Sequence, residues 1–196
     1  QALAAVGQVA LMHLYERLFW AHDRIIAQLL LSRGDFSDRA RYLSVRNVCA
    51  ELLSRGIVPI INENDSVSFD EIRIGDNDNL SALTAVLWSA DLLILFSDID
   101  GVYTDNPKTN KDATLVSTVT DIASLRKSIT IGATNSFGTG GIETKLEAAE
   151  LSTSYGIPLL LAKGTENAIE NLAAGKECGT LFFADEEKLL QDIRRY

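Results

Sequence analysis

The densest chemistry in this chain is the run Gly138-Thr139-Gly140-Gly141-Ile142-Glu143-Thr144-Lys145. Three glycines, two hydroxyl residues and a lysine stand just ahead of a helix read from Lys145 to Tyr155. Glycines let backbone N–H groups close on an anion. A helix start adds partial positive charge, and the lysine adds a full one. The run does not fit G-x-x-x-x-G-K-[ST], because no glycine immediately precedes the lysine and leucine follows it. It is a phosphate cradle of a different pattern.

Three further runs bring polar groups to ends of apolar segments. Asn62-Glu63-Asn64-Asp65 reads equally as a hydrophilic turn or as a holder for an ammonium group and its hydrogen-bonding neighbours. Gly75-Asp76-Asn77-Asp78-Asn79 opens a helix; capping needs one such residue, and four in succession exceed it. The ligand alternation of a calcium loop is missing there. A carboxylate in this run could orient lysines or neutralise a substrate ammonium. Ser97-Asp98-Ile99-Asp100-Gly101-Val102-Tyr103 reads most simply as a strand turning at Gly101, with Pro107 beyond. Its functional reading is a nucleotide rim, with Ser97 and Asp98 near phosphate or ribose and Tyr103 facing the base. His13 and His22 lack cysteines at metal-ligand spacing, and no G-x-S-x-G elbow exists.

These runs need a scaffold. The pattern predicts a helix from Gln1 to about His22 and a strand over Arg24–Leu31. A helix capped by Asp35 or Ser37 follows to about Arg55, ended by Gly56. Then come a buried strand at Ile57–Ile61, a hairpin arm at Ser66–Ile74 and a helix from Asp76 to about Ala90. A third buried strand spans Leu92–Phe96, and an irregular stretch leads to the glycine run. After the Lys145 helix come a strand at Ile157–Ala162, a short helix at Asn167–Ala174, a β-like Gly179–Phe182 and a charged final helix. Apolar strands alternating with helices indicate a mainly parallel sheet covered on both faces. Ligands of such sheets bind beyond the carboxyl ends of the strands, where the polar runs fall.

The chain has 196 residues, 46% hydrophobic and 23% charged, enough for one well-packed domain. A net charge of −9 with scattered basic residues argues against nucleic acid or an anionic membrane as partner. No apolar stretch reaches the roughly 18 residues a membrane span needs, and the first residues lack a basic start. Cys49 and Cys178 read as reduced thiols of a cytoplasmic protein. Because the chain opens inside a helix, without Met or an N-cap, the expectation is that it is truncated upstream.

Taken in order, Q-A-L-A-A-V-G-Q, I-N-E-N-D, G-D-N-D-N-L-S-A-L, S-D-I-D-G-V-Y-T, G-T-G-G-I-E-T-K-L-E-A-A and G-T-L-F closely resemble the glutamate 5-kinases of the amino acid kinase family, from Gln1 to about Phe183. The resemblance implies a three-layer αβα sandwich with a mainly parallel central sheet. It implies ATP-dependent phosphorylation of the L-glutamate γ-carboxylate, opening proline biosynthesis. Asp65 and Asn77 match glutamate-binding positions, with Asn62 and Asp76 lining the same pocket. Ser97, Asp98 and Thr139, Gly140, Gly141, Ile142, Glu143, Thr144 and Lys145 match ATP-binding positions. Lys145 resembles the lysine that stabilises the transferring phosphoryl group, and Asp78 the aspartate that orients the catalytic lysines. Mg²⁺ would accompany ATP.

On this pattern residues 1–184 are the carboxyl-terminal portion of a kinase domain, and 185–196 a helix or tail. The family's first strand and glycine loop, with a second phosphate lysine and a glutamate-holding serine, lie upstream of Gln1. The chain alone is therefore expected to be weakly active or inactive. The resemblance further implies a homo-oligomer and possible feedback inhibition by proline. Rival readings are a sister kinase acting on acetylglutamate, aspartate, carbamate or a nucleotide monophosphate, a non-catalytic amino-acid sensor, and the kinase half of a fusion with a reductase.

Overall fold

The structure, a computed structural model, describes residues 1–67, 74, 76–105, 107, 110–132, 139–176 and 178–184. The chain forms two units, Gln1–Leu80 and Ser81–Tyr196.

The first unit holds α1 (Ala2–Trp20), β1 (Ile26–Leu31), α2 (Arg33–Ser37), α3 (Arg39–Ser54), β2 (Val58–Glu63) and the first turn of α4 (Asn77–Trp88). β1 and β2 run parallel, in register from Ile26 opposite Val58 to Leu31 opposite Glu63. A parallel pair needs a long crossover, here supplied by α2 and α3. The crossover is two helices where the sequence reads as one. Ser32 gives its backbone N–H and its hydroxyl to Asp35 Oδ2 at 2.7 and 2.8 Å. Asp38, in extended conformation, then breaks the path and caps α3 by accepting the Arg41 N–H at 2.9 Å. The cap is thus Asp38, neither Asp35 nor Ser37. Most side chains of β1 and β2 are half-buried rather than buried, and burial peaks at their carboxyl ends, Leu31 and Glu63. Cys49 is buried on α3 and Cys178, in the second unit, is exposed; neither is in a disulfide.

The second unit continues α4 and adds β3 (Leu93–Ser97), β4 (Thr118–Val119), α5 (Ile122–Gly132), α6 (Thr139–Ser154), β5 (Leu159–Lys163), α7 (Ala168–Ala173) and β6 (Thr180–Phe182). The sheet order is β3-β5-β6-β4, parallel except where β6 runs against β5. β5 lies inside the sheet with four of its five residues buried. Its Leu159 and Leu161 meet Leu95, Leu146, Ala149 and Phe182 in the core. β3 is not buried on both faces as its composition predicts. Successive side chains alternate: Leu95 joins the core, while Ile94 and Phe96 stay 37% and 42% exposed.

Parallel pairing dominates, as the apolar runs indicate, and the strands divide between two sheets. β4 and α5 occupy the stretch the sequence reads as irregular. The hairpin arm of Ser66–Ile74 falls largely outside the described residues, as do Gly75, Asn106, Gly138 and the expected final helix at 185–196. Among the described residues no helix is long and apolar enough to cross a membrane.

Candidate active site

In the first unit, I-N-E-N-D leaves the sheet at the carboxyl end of β2. Glu63 is its hidden member. It is only 7% exposed, and its Oε1 accepts the Ile74 backbone N–H at 2.8 Å. That bond ties the end of β2 to the chain leading into α4. The Asn62–Asp65 run and the Asp76-Asn77-Asp78 run therefore spring from joined segments. Asp76 Oδ1 accepts the Asn79 N–H at 2.9 Å and Oδ2 the Asn79 side-chain amide at 3.1 Å, so Asp76 caps α4. The bland reading of that residue is thus realised. Asn77 and Asp78 form the first turn, where the carboxylate of Asp78 meets the positive end of the helix dipole.

Asn62 is held at both ends. Its Oδ1 accepts the Glu63 N–H at 3.0 Å, and its Nδ2 donates to Gln8 Oε1 at 3.3 Å. Asp65 and Ser66 line a cleft of about 590 Å³ with Gln8, Met12 and Gln28. Sequence reasoning missed Glu63 and Gln8 as individuals. The only signal was their place inside the I-N-E-N-D and Q-A-L-A-A-V-G-Q motifs.

In the second unit, Ser97 ends β3, gives its hydroxyl to Asp98 Oδ1 at 3.0 Å and accepts the Gly164 N–H at 2.9 Å on its carbonyl. Tyr103 donates its hydroxyl to Asp100 Oδ2 at 2.8 Å. That hydrogen bond, with desolvation and the Asp100 charge, raises the phenol's pKa above its ordinary value and keeps it neutral. Gly101 takes φ +152°, and a Cβ there would stand 2.7 Å from Thr180 Oγ1. Thr180 is fully buried; its hydroxyl oxygen accepts the Val102 N–H at 2.8 Å and donates to the Val116 carbonyl at 2.7 Å. The late G-T-L-F motif is thus a staple for the S-D-I-D-G-V-Y turn. A cleft of about 240 Å³ lined by Phe96, Asp100, Lys163 and Asn171 opens at the carboxyl ends of β3 and β5.

The glycine run departs most from its sequence reading. The helix begins at Thr139, six residues before Lys145, so Thr139, Gly140, Gly141 and Ile142 form its opening turn rather than a loop ahead of it. Lys145 nonetheless reaches that turn. Helical side chains lean toward the N-terminus, and Lys145 Nζ donates to the Gly141 carbonyl at 3.3 Å, as does Thr144 Oγ1 at 3.2 Å. Ile142 packs on the core. Glu143 turns to α5: its Oε1 lies 3.0 Å from Arg126 Nε, an ionic contact out of line for a hydrogen bond. Arg126 Nη1 also bonds Glu150 Oε2 at 3.2 Å. Glu143 and Glu150 share one face of α6, and Lys145 lies about 200° round the helix from Glu143. The acidic face is spent on α5.

A model of the amino acid kinase family matches residues 1–163. The chain is 55% identical over 185 residues to a glutamate 5-kinase of Alkaliphilus metalliredigens, a match covering 94% of this chain and 70% of that relative. It is 48% identical over 189 residues to a glutamate 5-kinase of Moorella thermoacetica, covering 96% of this chain and 50% of that one. Among solved structures, an isopentenyl phosphate kinase matches with a TM-score of 0.58 at 20% identity, covering 89% of this chain and 66% of that one. A UMP kinase from Bacillus anthracis matches at 0.55 and 16% identity, with coverage of 83% and 59%. These two show the fold, a parallel-dominated α/β architecture shared across the family. The chain belongs to the amino acid kinase family, in its glutamate 5-kinase branch.

Proposed function

We propose that the protein carrying this chain transfers the γ-phosphoryl group of ATP to the γ-carboxylate of L-glutamate, giving γ-glutamyl phosphate and ADP at the opening of proline biosynthesis. The observation that carries the reading is the ammonium of Lys145 folded back over the first turn of α6. A full charge and a helix start together suit a phosphoryl group in transfer. The glutamate 5-kinase names of relatives at 55% and 48% identity supply the substrate.

The two units divide the labour. Asp65, Asn77 and the cleft beside β2 take glutamate. Ser97, Asp98 and the first turns of α6 take ATP, with the small cleft at the ends of β3 and β5 available to the base. A γ-carboxylate is ionised at neutral pH and needs no general base. One of its oxygens bonds to the γ-phosphorus as the bond to the β-phosphate oxygen breaks and ADP leaves. Lys145 offsets charge on the group in flight.

Among the described residues no group of three or more His, Cys, Asp or Glu is placed to hold a metal. The Mg²⁺ that accompanies ATP would be carried chiefly by the nucleotide phosphates, beside the carboxylate of Asp98. When bound, the ion would neutralise phosphate charge.

Steady-state kinetics of two variants in the whole protein test the assignment. Lys145→Ala lowers kcat by roughly 10²–10³ with little change in glutamate KM. Asp65→Ala raises glutamate KM by about tenfold or more and leaves the KM for ATP in place. Unchanged turnover in the lysine variant would sink its catalytic role.

A further inference from the structure

Glu63 has no part in the reading above, yet it is a carboxylate only 7% exposed at the wall of the 590 Å³ cleft. Its Oε1 accepts the Ile74 backbone N–H at 2.8 Å, across 11 positions of sequence. Glu63 is the last residue of β2, and Asp65, also at the cleft, lies two residues beyond it. Ile74 stands three residues ahead of Asn77, the first residue of α4. The two residues assigned to glutamate thus sit on short arms either side of one hydrogen bond. At about 3.5 Å per residue the arms reach at most roughly 7 and 10 Å. The chain that otherwise joins Asp65 to Asn77 could span roughly 40 Å. Leu80, 3% exposed, anchors α4 one turn past Asn77, and the bond to Ile74 anchors its other side.

We infer that Glu63 is a positioning residue for the amino-acid substrate, setting through Ile74 where Asn77 stands relative to Asp65; this rests on the glutamate reading of the cleft. Burying a carboxylate is costly unless bonds compensate it. In return, an ionised acceptor makes a bond roughly twice as strong as a neutral oxygen does. With Glu63 so little exposed, water competes poorly for its oxygen. The bond belongs to the first unit, whereas the ATP residues named above belong to the second. Loosening it therefore weakens glutamate binding and leaves nucleotide binding in place.

The test uses the whole protein. Glu63→Leu removes the acceptor, and glutamate KM rises about tenfold or more while the KM for MgATP stays within about threefold. Glu63→Gln keeps an oxygen acceptor and brings glutamate KM back to within about threefold of wild type. Ile74→Pro removes the donor from the other side and raises glutamate KM by itself. Added to Glu63→Leu it contributes less than about twofold, because the two substitutions break the same bond. Effects that multiply in the double variant overturn the inference. A glutamine variant as impaired as the leucine one also overturns it, since the charge and not the bond would then matter. Equal rises in both KM values reduce Glu63 to a structural role and overturn it as well. Should Glu63→Leu fail to fold, Ile74→Pro decides: a wild-type glutamate KM overturns the inference, and a raised one with unchanged KM for MgATP supports it. A wild-type protein without glutamate-dependent ADP formation overturns the glutamate reading instead.

Discussion

Replacing Thr180 by valine removes one oxygen and almost nothing else, and the structure sets the cost. Thr180 is fully buried, and its hydroxyl is the partner of both the Val102 N–H at 2.8 Å and the Val116 carbonyl at 2.7 Å. Valine fills the same space but leaves those two backbone groups without that partner. An orphaned buried polar group costs roughly 1–3 kcal/mol. The Val116 bond is only partly buried and falls at the low end, so the pair costs about 2–4 kcal/mol. The added methyl returns at most about 1 kcal/mol, leaving a net loss of roughly 2–3 kcal/mol. At about 2–4 °C per kcal/mol for a chain of this size, Tm falls by about 5–10 °C. Thr180→Ser keeps the hydroxyl and loses a methyl, costing about 1 kcal/mol. Urea unfolding followed by circular dichroism, with unchanged m-value, ranks the two. Because the staple holds the S-D-I-D-G-V-Y turn, the valine variant also raises the KM for ATP more than that for glutamate. A valine variant as stable as wild type, or a serine variant weaker than the valine one, would refute the reasoning.

Gly179 takes φ +74°, and a Cβ there would stand 2.1 Å from the Leu161 carbonyl oxygen. Gly179→Ala therefore unseats β6 from β5, and its soluble yield and Tm fall below those of Thr180→Val. Asp38→Ala removes the α3 cap and costs about 1 kcal/mol in urea unfolding; no measurable loss would reject the cap assignment. Asp121 accepts the Ser124 hydroxyl at 2.6 Å and its N–H at 2.9 Å, which lowers the carboxyl's pKa from its ordinary 3.8. A carboxyl depressed on folding stabilises above its unfolded value and loses that contribution as pH falls through the folded one. The Tm difference between wild type and Asp121→Asn thus narrows on acidification below about pH 4. A difference that widens there contradicts the sign.

The elements read best from sequence are those whose apolar runs end at strong punctuation. β2 starts after Gly56 and β5 after Gly156, with both glycines at positive φ. α4 opens on an Asp-Asn run whose first member is its cap. The failures share a cause: tertiary packing overrode local preference. α6 starts within glycines, which disfavour helix, because Ile142 and Leu146 are drawn onto the core. α5 (I-A-S-L-R-K-S-I-T-I-G) is rich in β-branched and hydroxyl residues, and its helical signal lay in the Asp121 cap and in Ile122 and Leu125 packing on the core.

The polar runs of the candidate site were legible because side-chain chemistry is written in the sequence. The roles of partners were not. That Glu63 is buried and joins two motifs, or that Glu143 is spent on Arg126, depends on residues 11 and 17 positions away. Neither spacing follows a helical or strand period.

The central claim is transfer of phosphate to a carboxylate, and the acyl phosphate itself is the product to measure. The whole protein with MgATP and hydroxylamine should convert L-glutamate to the γ-hydroxamate in step with ADP release. Acetylglutamate, aspartate, carbamate and nucleotide monophosphates should give little or no product, and Lys145→Ala should abolish the glutamate signal. ADP release without hydroxamate, or a stronger signal with one of the other acceptors, would contradict the account.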